Sequence, residues 1–180
     1  ETRAGEEAGI GDEEYAAAGA RIASAAPEIF ARAQMIVKVK EPLGPERAML
    51  RRGQIVFTYL HLAADPALTR DLIGAGVTAI AYETVTDAAG KLPLLVPMST
   101  VAGRMAPQVA AHWLERPHGG RGILLGSIGS VPPAEFVILG GGTVGSNAAA
   151  TALAMGARVT VVARSAATVD HLTQTFGASV

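Results

Sequence analysis

The stretch Phe136-Val-Ile-Leu-Gly-Gly-Gly-Thr-Val-Gly145 decides the fold of the second half of this chain. Its four apolar residues predict a strand, and the glycines that follow lead at once into the helical pattern Ser146–Met155. This is a GxGxxG sequence in the strand, turn and helix context that dinucleotide binding requires. Gly140 permits the tight turn, Gly142 lets a pyrophosphate approach the backbone, and Gly145 allows the helix to pack closely on the strand.

The same turn places the amino end of a helix, with its unpaired amides, beside the bound phosphate. The sequence therefore predicts a dinucleotide site made by Gly140, Gly142, Thr143, Val144 and Gly145.

The segment that should contact the cofactor ribose lacks its usual acid. In NAD-binding units an acidic residue ends the second strand, about 20 positions after the glycines, and binds the ribose hydroxyls. Here the strand Arg158–Val162 leads into Ala163-Arg164-Ser165. Arg164 with Ser165 is suited to the 2′-phosphate of NADP. Alternatively, Arg164 is a solvated surface residue and NAD binds through other contacts, so both coenzymes remain open.

Strand and helix patterns alternate along the whole chain and predict parallel sheets covered on both faces. The predicted strands are Met35–Lys40, Gln54–Leu60, Thr78–Glu83, Glu135–Leu139 and Arg158–Ala163. The predicted helices before the connector are Asp12–Ala18, Pro27–Ala33, Pro45–Arg51 and Asp65–Ala75, the last with Asp65 as N-cap and Pro66 in its first turn.

A longer helix is expected from about Ser99 to Glu115, kinked or shortened at Pro107, with Val101, Met105, Val109 and Trp113 on one face. The domain change lies just before it. The fold class is therefore α/β with two Rossmann-like parallel-sheet domains, both incomplete in this chain: residues 1–95 form a substrate domain, and residues 96–180 form the nucleotide domain with its connecting helix.

Polar residues end each of the first three predicted strands: Lys40, His61 and Glu83. The carboxyl ends of parallel strands form the ligand edge of such a sheet, so these side chains are expected to converge. A lysine can hold a substrate carboxylate or polarise a keto oxygen, and a histidine can transfer protons near neutral pH. Taken by spacing alone, these positions favour a solvated lysine and a hydrogen-bonded structural histidine over functional roles, and Glu83 orients a neighbour or caps a loop.

No histidine and carboxylate cluster shows metal-ligand spacing, so no metal site is predicted, and His112, His118 and His171 are interpreted as surface or packing residues.

The composition argues against several classes of protein, namely nucleic-acid-binding, membrane-bound and disulfide-linked proteins. The formal net charge of −1 gives no basic footprint for nucleic acid or for a membrane surface, and there is no cysteine. No apolar run reaches the length of a membrane span. A cytoplasmic protein is the simplest interpretation.

Several ordered segments resemble alanine dehydrogenase over essentially the whole chain. They are Ile36–Pro42, Gly53–Ala64, Ala79–Val85, Leu92–Ser99, Val101–Arg104 and Gly119–Gly122. The resemblance implies that Lys40 binds the substrate, that His61 is the catalytic acid/base, and that Ser99, with Met98, lines the cofactor and substrate cleft. It also implies reversible, NAD-linked oxidative deamination of L-alanine to pyruvate and ammonia by a homohexamer.

By the same resemblance, the family's substrate-binding arginine and catalytic aspartate fall outside these 180 residues. The chain is therefore expected to be a fragment that lacks both ends and is inactive, or nearly so, by itself. Two other functions stay open: the NAD(H)-binding part of a proton-translocating transhydrogenase, and a truncated nucleotide-binding protein without catalysis. The Lys40 and His61 pair favours the dehydrogenase over the transhydrogenase.

Overall fold

The computed structural model describes residues 1–177. By its internal contacts the chain divides into two units, Glu1–Leu92 and Pro93–Val180. Each unit is an α/β structure built on a parallel sheet, as the sequence predicts.

The first unit contains a three-stranded parallel sheet in the order β1-β2-β3. Its elements are α1 (Asp12–Ala17), α2 (Ala26–Arg32), β1 (Met35–Val37), α3 (Gly44–Arg47), β2 (Ile55–Thr58), α4 (Pro66–Ala75) and β3 (Thr78–Ala81). The strands end earlier than the sequence predicts. Lys40, His61 and Glu83 therefore lie in the connections that follow the strands, and Glu83 sits in a 3-10 turn, Tyr82–Thr84.

One face of this sheet carries the core of the first unit. Val56, at the centre of β2, is fully buried and packs with Leu60 and with Leu68 of α4. On β1, by contrast, Met35 and Val37 are exposed. The expectation that helices cover both faces is therefore not met at β1 within the described residues of this unit, where α2 and α4 contribute to the core on the other face.

Two polar residues fix the ends of helices in the first unit. Asp65 caps α4 by accepting the Leu68 amide at 2.9 Å, and Pro66 occupies the first turn, as predicted. Gln54 is 3% exposed and donates to the carbonyl oxygens of Phe30 and Ala33 at the end of α2, at 3.0 and 2.8 Å. A buried amide is stable only when it is paired in this way.

The second unit contains α5 (Val96–Leu114), β4 (Glu135–Leu139), α6 (Thr143–Ala154), β5 (Arg158–Val162) and α7 (Ala166–Phe176). β4 and β5 pair in parallel, with Leu139 opposite Val162, so the glycine turn and the residues after β5 emerge at the same sheet edge. Small side chains of α6, Ala148, Ala149 and Ala152, pack on the sheet and allow a close approach.

The connector helix α5 differs from its prediction in two respects. It starts at Val96, because Pro97 is well placed in a first turn, and it continues through Pro107 instead of being shortened there. Pro107 is fully buried, and its turn neighbour Gly103 lies so close to α6 that an added Cβ would be 2.7 Å from Asn147 Cβ. Packing against α6 therefore stabilises the helix where the sequence alone predicts a kink or a shortening.

The apolar stripe predicted on one face of α5 is exposed in this structure. Val101, Met105, Val109 and Trp113 are 48–60% exposed, and the buried positions are Gly103 and Pro107. A hydrophobic pattern identifies an amphipathic helix but does not say which neighbour covers it.

In the part of the chain that the structure describes, none of the helices is long and apolar enough to cross a membrane.

Candidate functional site

The glycine turn between β4 and α6 has the geometry of a phosphate-binding turn. Gly140 adopts φ +107°, a conformation that side chains strongly disfavour, and its amide donates to the Val162 carbonyl at 2.8 Å. A Cβ on Gly145 would collide with the carbonyl oxygen of Gly140. These two glycines are therefore required by the fold of the turn itself.

Gly142 is different, because no packing contact among the described residues requires it to be a glycine. It is the N-cap of α6 with an ordinary φ of −75°, and no atom of the described residues lies within 4 Å of where its Cβ would be. No side chain of the described residues caps the helix there, and the first-turn residues Thr143 and Val144 line a cavity beside it. This is the space that a pyrophosphate would fill, and the residues present therefore fit a dinucleotide.

The structure brings the predicted cofactor residues of the turn together with Ser99. A cavity of about 570 Å³ is lined by Ser99 and Leu95, by β4, and by the turn residues Gly140, Gly142, Thr143, Val144 and Gly145. Arg164 is not among its lining residues. Ser99 is half-buried, and it lies in the first turn of α5.

Beyond β5, Ala163 and Arg164 lead into α7. The Cβ of Ala163 lies 3.6 Å from the position of a Cβ added to Gly141, so this position is next to the glycine turn. Arg164 is exposed. Ser165 caps α7, accepting the Thr168 amide at 3.2 Å and sharing a 2.8 Å hydrogen bond with the Thr168 hydroxyl. The Ser165 hydroxyl is therefore already hydrogen-bonded within the protein. Of the two residues, Arg164 is the one whose side chain is suited to a 2′-phosphate.

Lys40 lies just beyond β1, where its backbone is tied to the end of β2. The Thr58 hydroxyl, fully buried, donates to the Lys40 carbonyl at 2.8 Å. The Lys40 side chain is exposed and forms no ion pair with another described residue, whereas Lys38 pairs with Glu46. Of these two lysines, Lys40 is thus the one whose charge is available to a ligand.

His61 follows β2 in a strained backbone conformation. Its φ of 47° and ψ of 38° are left-handed, which a non-glycine residue adopts at a cost of roughly 1–3 kcal/mol and most often at functional sites. The Glu83 carboxylate holds this conformation, because it accepts the amide of His61 at 2.7 Å and that of Leu60 at 3.1 Å. The imidazole is exposed and stacks on the Tyr59 ring, with centroids 6.0 Å apart.

Burial by itself would raise the pKa of Glu83, but hydrogen bonds from the backbone amides outweigh that effect, with a smaller contribution from His61, and hold the pKa below its usual value. Glu83 therefore stays a carboxylate and a strong acceptor. The structure brings Glu83 and His61 together, and Lys40 lies at the same edge of the sheet, one strand away.

Three further residues lie at this edge of the sheet and were not predicted as site residues from the sequence: Tyr59, Tyr82 and Glu41. Tyr82 packs edge-on against Tyr59, at 5.0 Å between ring centroids, and burial raises the pKa of the Tyr82 hydroxyl. Glu41 has a buried Oε2 with no hydrogen-bond partner among the described residues. The run Lys40-Glu41-Pro42 gives no signal of this, since a charged residue beside a proline normally predicts a solvated loop.

The sequence shows no metal-ligand spacing among its histidines and carboxylates, but the fold brings three such side chains close together. His112, Glu115 and His118 each place one ligand atom within 4.8 Å of the others. The sequence interpretation assigned His112 to the connector helix and His118 to the following loop as unrelated residues. The helix instead ends at Leu114 and the chain turns back through the 3-10 helix Arg116–His118, which returns His118 to the helix end.

Comparison with known proteins places this geometry in a family. Residues 1–102 match the family described as "Alanine dehydrogenase/PNT, N-terminal domain", and residues 106–180 match "Alanine dehydrogenase/PNT, C-terminal domain". The chain is 52% identical over 180 residues to an alanine dehydrogenase from Methanococcus maripaludis, covering 100% of this chain and 48% of that protein. The chain thus spans about half the length of the curated relatives it matches.

Two solved structures resemble this one. An L-alanine dehydrogenase matches with a TM-score of 0.86 and 47% identity, covering 99% of this chain and 49% of the other. A transhydrogenase from Sinorhizobium meliloti matches with a TM-score of 0.77 and 27% identity, covering 98% of this chain and 50% of the other.

Proposed function

The chain belongs to the alanine dehydrogenase/PNT family, and from that premise we propose that the whole protein catalyses the reversible oxidative deamination of L-alanine to pyruvate and ammonia. One observation carries the proposal: His61, held in a strained conformation by Glu83, lies at the same sheet edge as Lys40, whose charge has no partner among the described residues. In this proposal, residues 1–95 supply the side chains that bind the substrate, and residues 96–180 supply the nucleotide-binding site.

Lys40 binds the carboxylate of alanine and the carbonyl end of pyruvate. An ammonium paired with a substrate carboxylate orients the carbon that loses hydride, and its charge also stabilises negative charge on the keto oxygen in the reverse direction. The backbone anchor from Thr58 fixes the point from which the flexible lysine side chain extends.

His61 moves the protons of the hydrolytic half of the reaction. After hydride loss the substrate is an imine, and water must add to its carbon before ammonia leaves. The neutral imidazole accepts a proton from that water as the C–O bond forms, and the imidazolium returns this proton to the nitrogen. As the C–N bond breaks and ammonia leaves, the imidazole accepts the hydroxyl proton of the carbinolamine, which becomes the keto group. Glu83 is a positioning residue in this scheme, because it holds the His61 backbone and not the ring.

The glycine turn holds the pyrophosphate of a nicotinamide nucleotide, which when bound supplies the hydride acceptor. We propose that Gly140, Gly142, Gly145 and the amides of Thr143 and Val144 make this contact, with Ser99 at the side of the cavity. NAD is the proposed coenzyme, and NADP is accepted as well, because position 163 carries no acid to repel a 2′-phosphate and Arg164 is exposed beside the amino end of α7.

The whole protein is proposed to be a cytoplasmic homo-oligomer, a homohexamer by its resemblance to the family. The exposed apolar stripe of α5, Val101, Met105, Val109 and Trp113, supports self-association, since a contiguous apolar helix face is normally covered by a partner. The chain by itself is proposed to bind nucleotide without turning over alanine.

A hybrid enzyme tests the proposal directly. In it, this chain replaces the matching 180 residues of the Methanococcus maripaludis relative. We expect alanine-dependent formation of NADH, and we expect Lys40→Met to raise KM for alanine by roughly tenfold or more, the value of one charged hydrogen bond. Lys91→Met, at another exposed lysine, is the matched control and should leave KM unchanged.

Nucleotide binding by a folded hybrid that shows no alanine turnover would reject the dehydrogenase. It would favour instead the transhydrogenase-like or non-catalytic binding function. Equal KM values in the Lys40 and Lys91 variants would reject the role of Lys40 alone.

A further inference from the structure

His112, Glu115 and His118 form a compact group of three ligands at the carboxyl end of α5. One atom from each residue lies within 4.8 Å of the other two, and the imidazole rings of His112 and His118 have centroids 3.8 Å apart. His118 Nε2 is 3.7 Å from the Glu115 carboxylate. The group lies wholly within the second unit and shares no residue with the proposed nucleotide or substrate groups.

The backbone that presents these ligands is extensively hydrogen-bonded. The Glu115 amide donates to the His112 carbonyl at 3.2 Å, and the His118 amide donates to the Glu115 carbonyl at 3.1 Å. The Gly120 amide then donates to Glu115 at 3.0 Å, and a Cβ at Gly120 would collide with the carbonyl of Leu114. Successive turns therefore fold the chain tightly back on the helix end and fix the spacing of the three side chains.

We propose that this group binds a divalent first-row transition ion, with Zn²⁺ as the best match. Two imidazole nitrogens and one carboxylate oxygen are a common protein ligand set for zinc, and water completes the tetrahedron. With metal–ligand distances near 2.1 Å, ligand atoms in such a site lie about 3.4 Å apart. Small rotations of three exposed side chains close the present separations to that value. The bound ion ties the Arg116–His118 turn to the end of α5.

The chain contains its own reporter for this site. Trp113 is the single tryptophan, and its ring lies 5.5 Å from that of His112 and 5.9 Å from that of His118, measured between centroids. A paramagnetic Cu²⁺ ion bound by the two histidines quenches an indole at this distance. Cu²⁺ binds nitrogen ligands more tightly than Zn²⁺ does, so it is a sensitive first probe.

The test titrates the full 180-residue chain, without a histidine tag, with CuCl₂ by tryptophan fluorescence and with ZnCl₂ by calorimetry. We expect one ion per chain, and Zn²⁺ should displace Cu²⁺ when added in excess. His112→Gln and His118→Gln should each weaken binding by roughly tenfold or more, since each removes one of three protein ligands. The matched control is His171→Gln, an exposed histidine on α7 of the same unit.

Since all three side chains are exposed, the variants should fold normally, which far-UV circular dichroism checks. Zinc should also raise the thermal midpoint of the wild-type chain and leave that of the His112 variant unchanged. Absence of binding, or equal affinity in the wild type and both ligand variants, overturns the proposal. So does an equal loss of affinity in the His171 variant. None of these results depends on alanine turnover, so the experiment tests the metal site independently of the proposed function.

Discussion

Two glycines of the same turn should respond oppositely to alanine substitution. At Gly145 a Cβ would collide with the Gly140 carbonyl oxygen, so Gly145→Ala must displace α6 from β4. Overpacking of this kind costs about 1–3 kcal/mol of unfolding free energy. For a unit of this size that lowers Tm by roughly 4 °C or more.

Gly142→Ala should leave the fold nearly unchanged and impair binding. No atom of the described residues lies within 4 Å of the new Cβ, and φ is −75°. Alanine makes the unfolded chain less flexible, which raises the free energy of unfolding slightly, and it is a poorer N-cap than glycine, which lowers it slightly. The net change in the free energy of unfolding therefore stays within about 1 kcal/mol. The methyl group would, however, occupy the space proposed for the pyrophosphate. Losing one charge-assisted hydrogen bond weakens nucleotide binding roughly 10- to 150-fold.

The assay pairs thermal unfolding with titration of NADH fluorescence on both variants and the wild-type chain. The expected result is a stable Gly142 variant with weak binding and a destabilised Gly145 variant. If Gly142→Ala binds NADH as tightly as the wild type, the turn does not hold the pyrophosphate.

Other substitutions test the remaining parts. In the hybrid, Glu83→Ala should lower kcat about tenfold or more, with partial rescue by Glu83→Gln, which keeps an acceptor for the His61 amide. Ala163→Asp should lower kcat/KM for NADPH relative to NADH by roughly tenfold or more, through repulsion of the 2′-phosphate. In urea denaturation, Gln54→Leu should reduce the free energy of unfolding by about 1–3 kcal/mol, because buried carbonyls lose their donor. Hydrogen bonds from the Leu68 amide and from Arg47 lower the pKa of Asp65, so its stabilisation is present above pH 3.8 and is lost as pH falls through the lower folded value. Asp65→Asn should therefore flatten the acid side of the curve of stability against pH.

Local sequence is sufficient to predict some elements of this fold, including the bounds of one strand and the start of one helix. Glu135–Leu139 is a strand with the predicted bounds, because its apolar run is ended by glycines that only a turn accommodates. Asp65 and Pro66 start α4 where capping chemistry predicts. These features are determined mainly by residues adjacent in the sequence, although Arg47 also pairs with Asp65.

Other features depend on residues far apart in the chain and so escaped prediction. The left-handed conformation of His61 requires Glu83, 22 positions later, to accept its amide. Helix α5 continues through Pro107 because α6 packs on Gly103. Sequence periodicity records neither contact, and it therefore predicts a longer strand before His61 and a shorter helix at Pro107.

The grouping of His112, Glu115 and His118 was not predicted for a related reason. His118 is six positions after His112, and their ring centroids come within 3.8 Å of each other because the helix stops at Leu114 and the chain turns back on it. The stopping point is set by the turn that Gly119 and Gly120 allow.

The most direct test of the central claim is the initial rate of NADH formation from L-alanine by the hybrid and by its His61→Gln variant. Glutamine keeps much of the polarity of the side chain but cannot transfer protons near neutral pH. We expect a folded variant that still binds NADH and whose kcat is lower by about 10²–10⁴-fold, the usual contribution of a general acid/base. A variant that keeps wild-type kcat over the same pH range would contradict it, since His61 would then not be the residue that moves the proton.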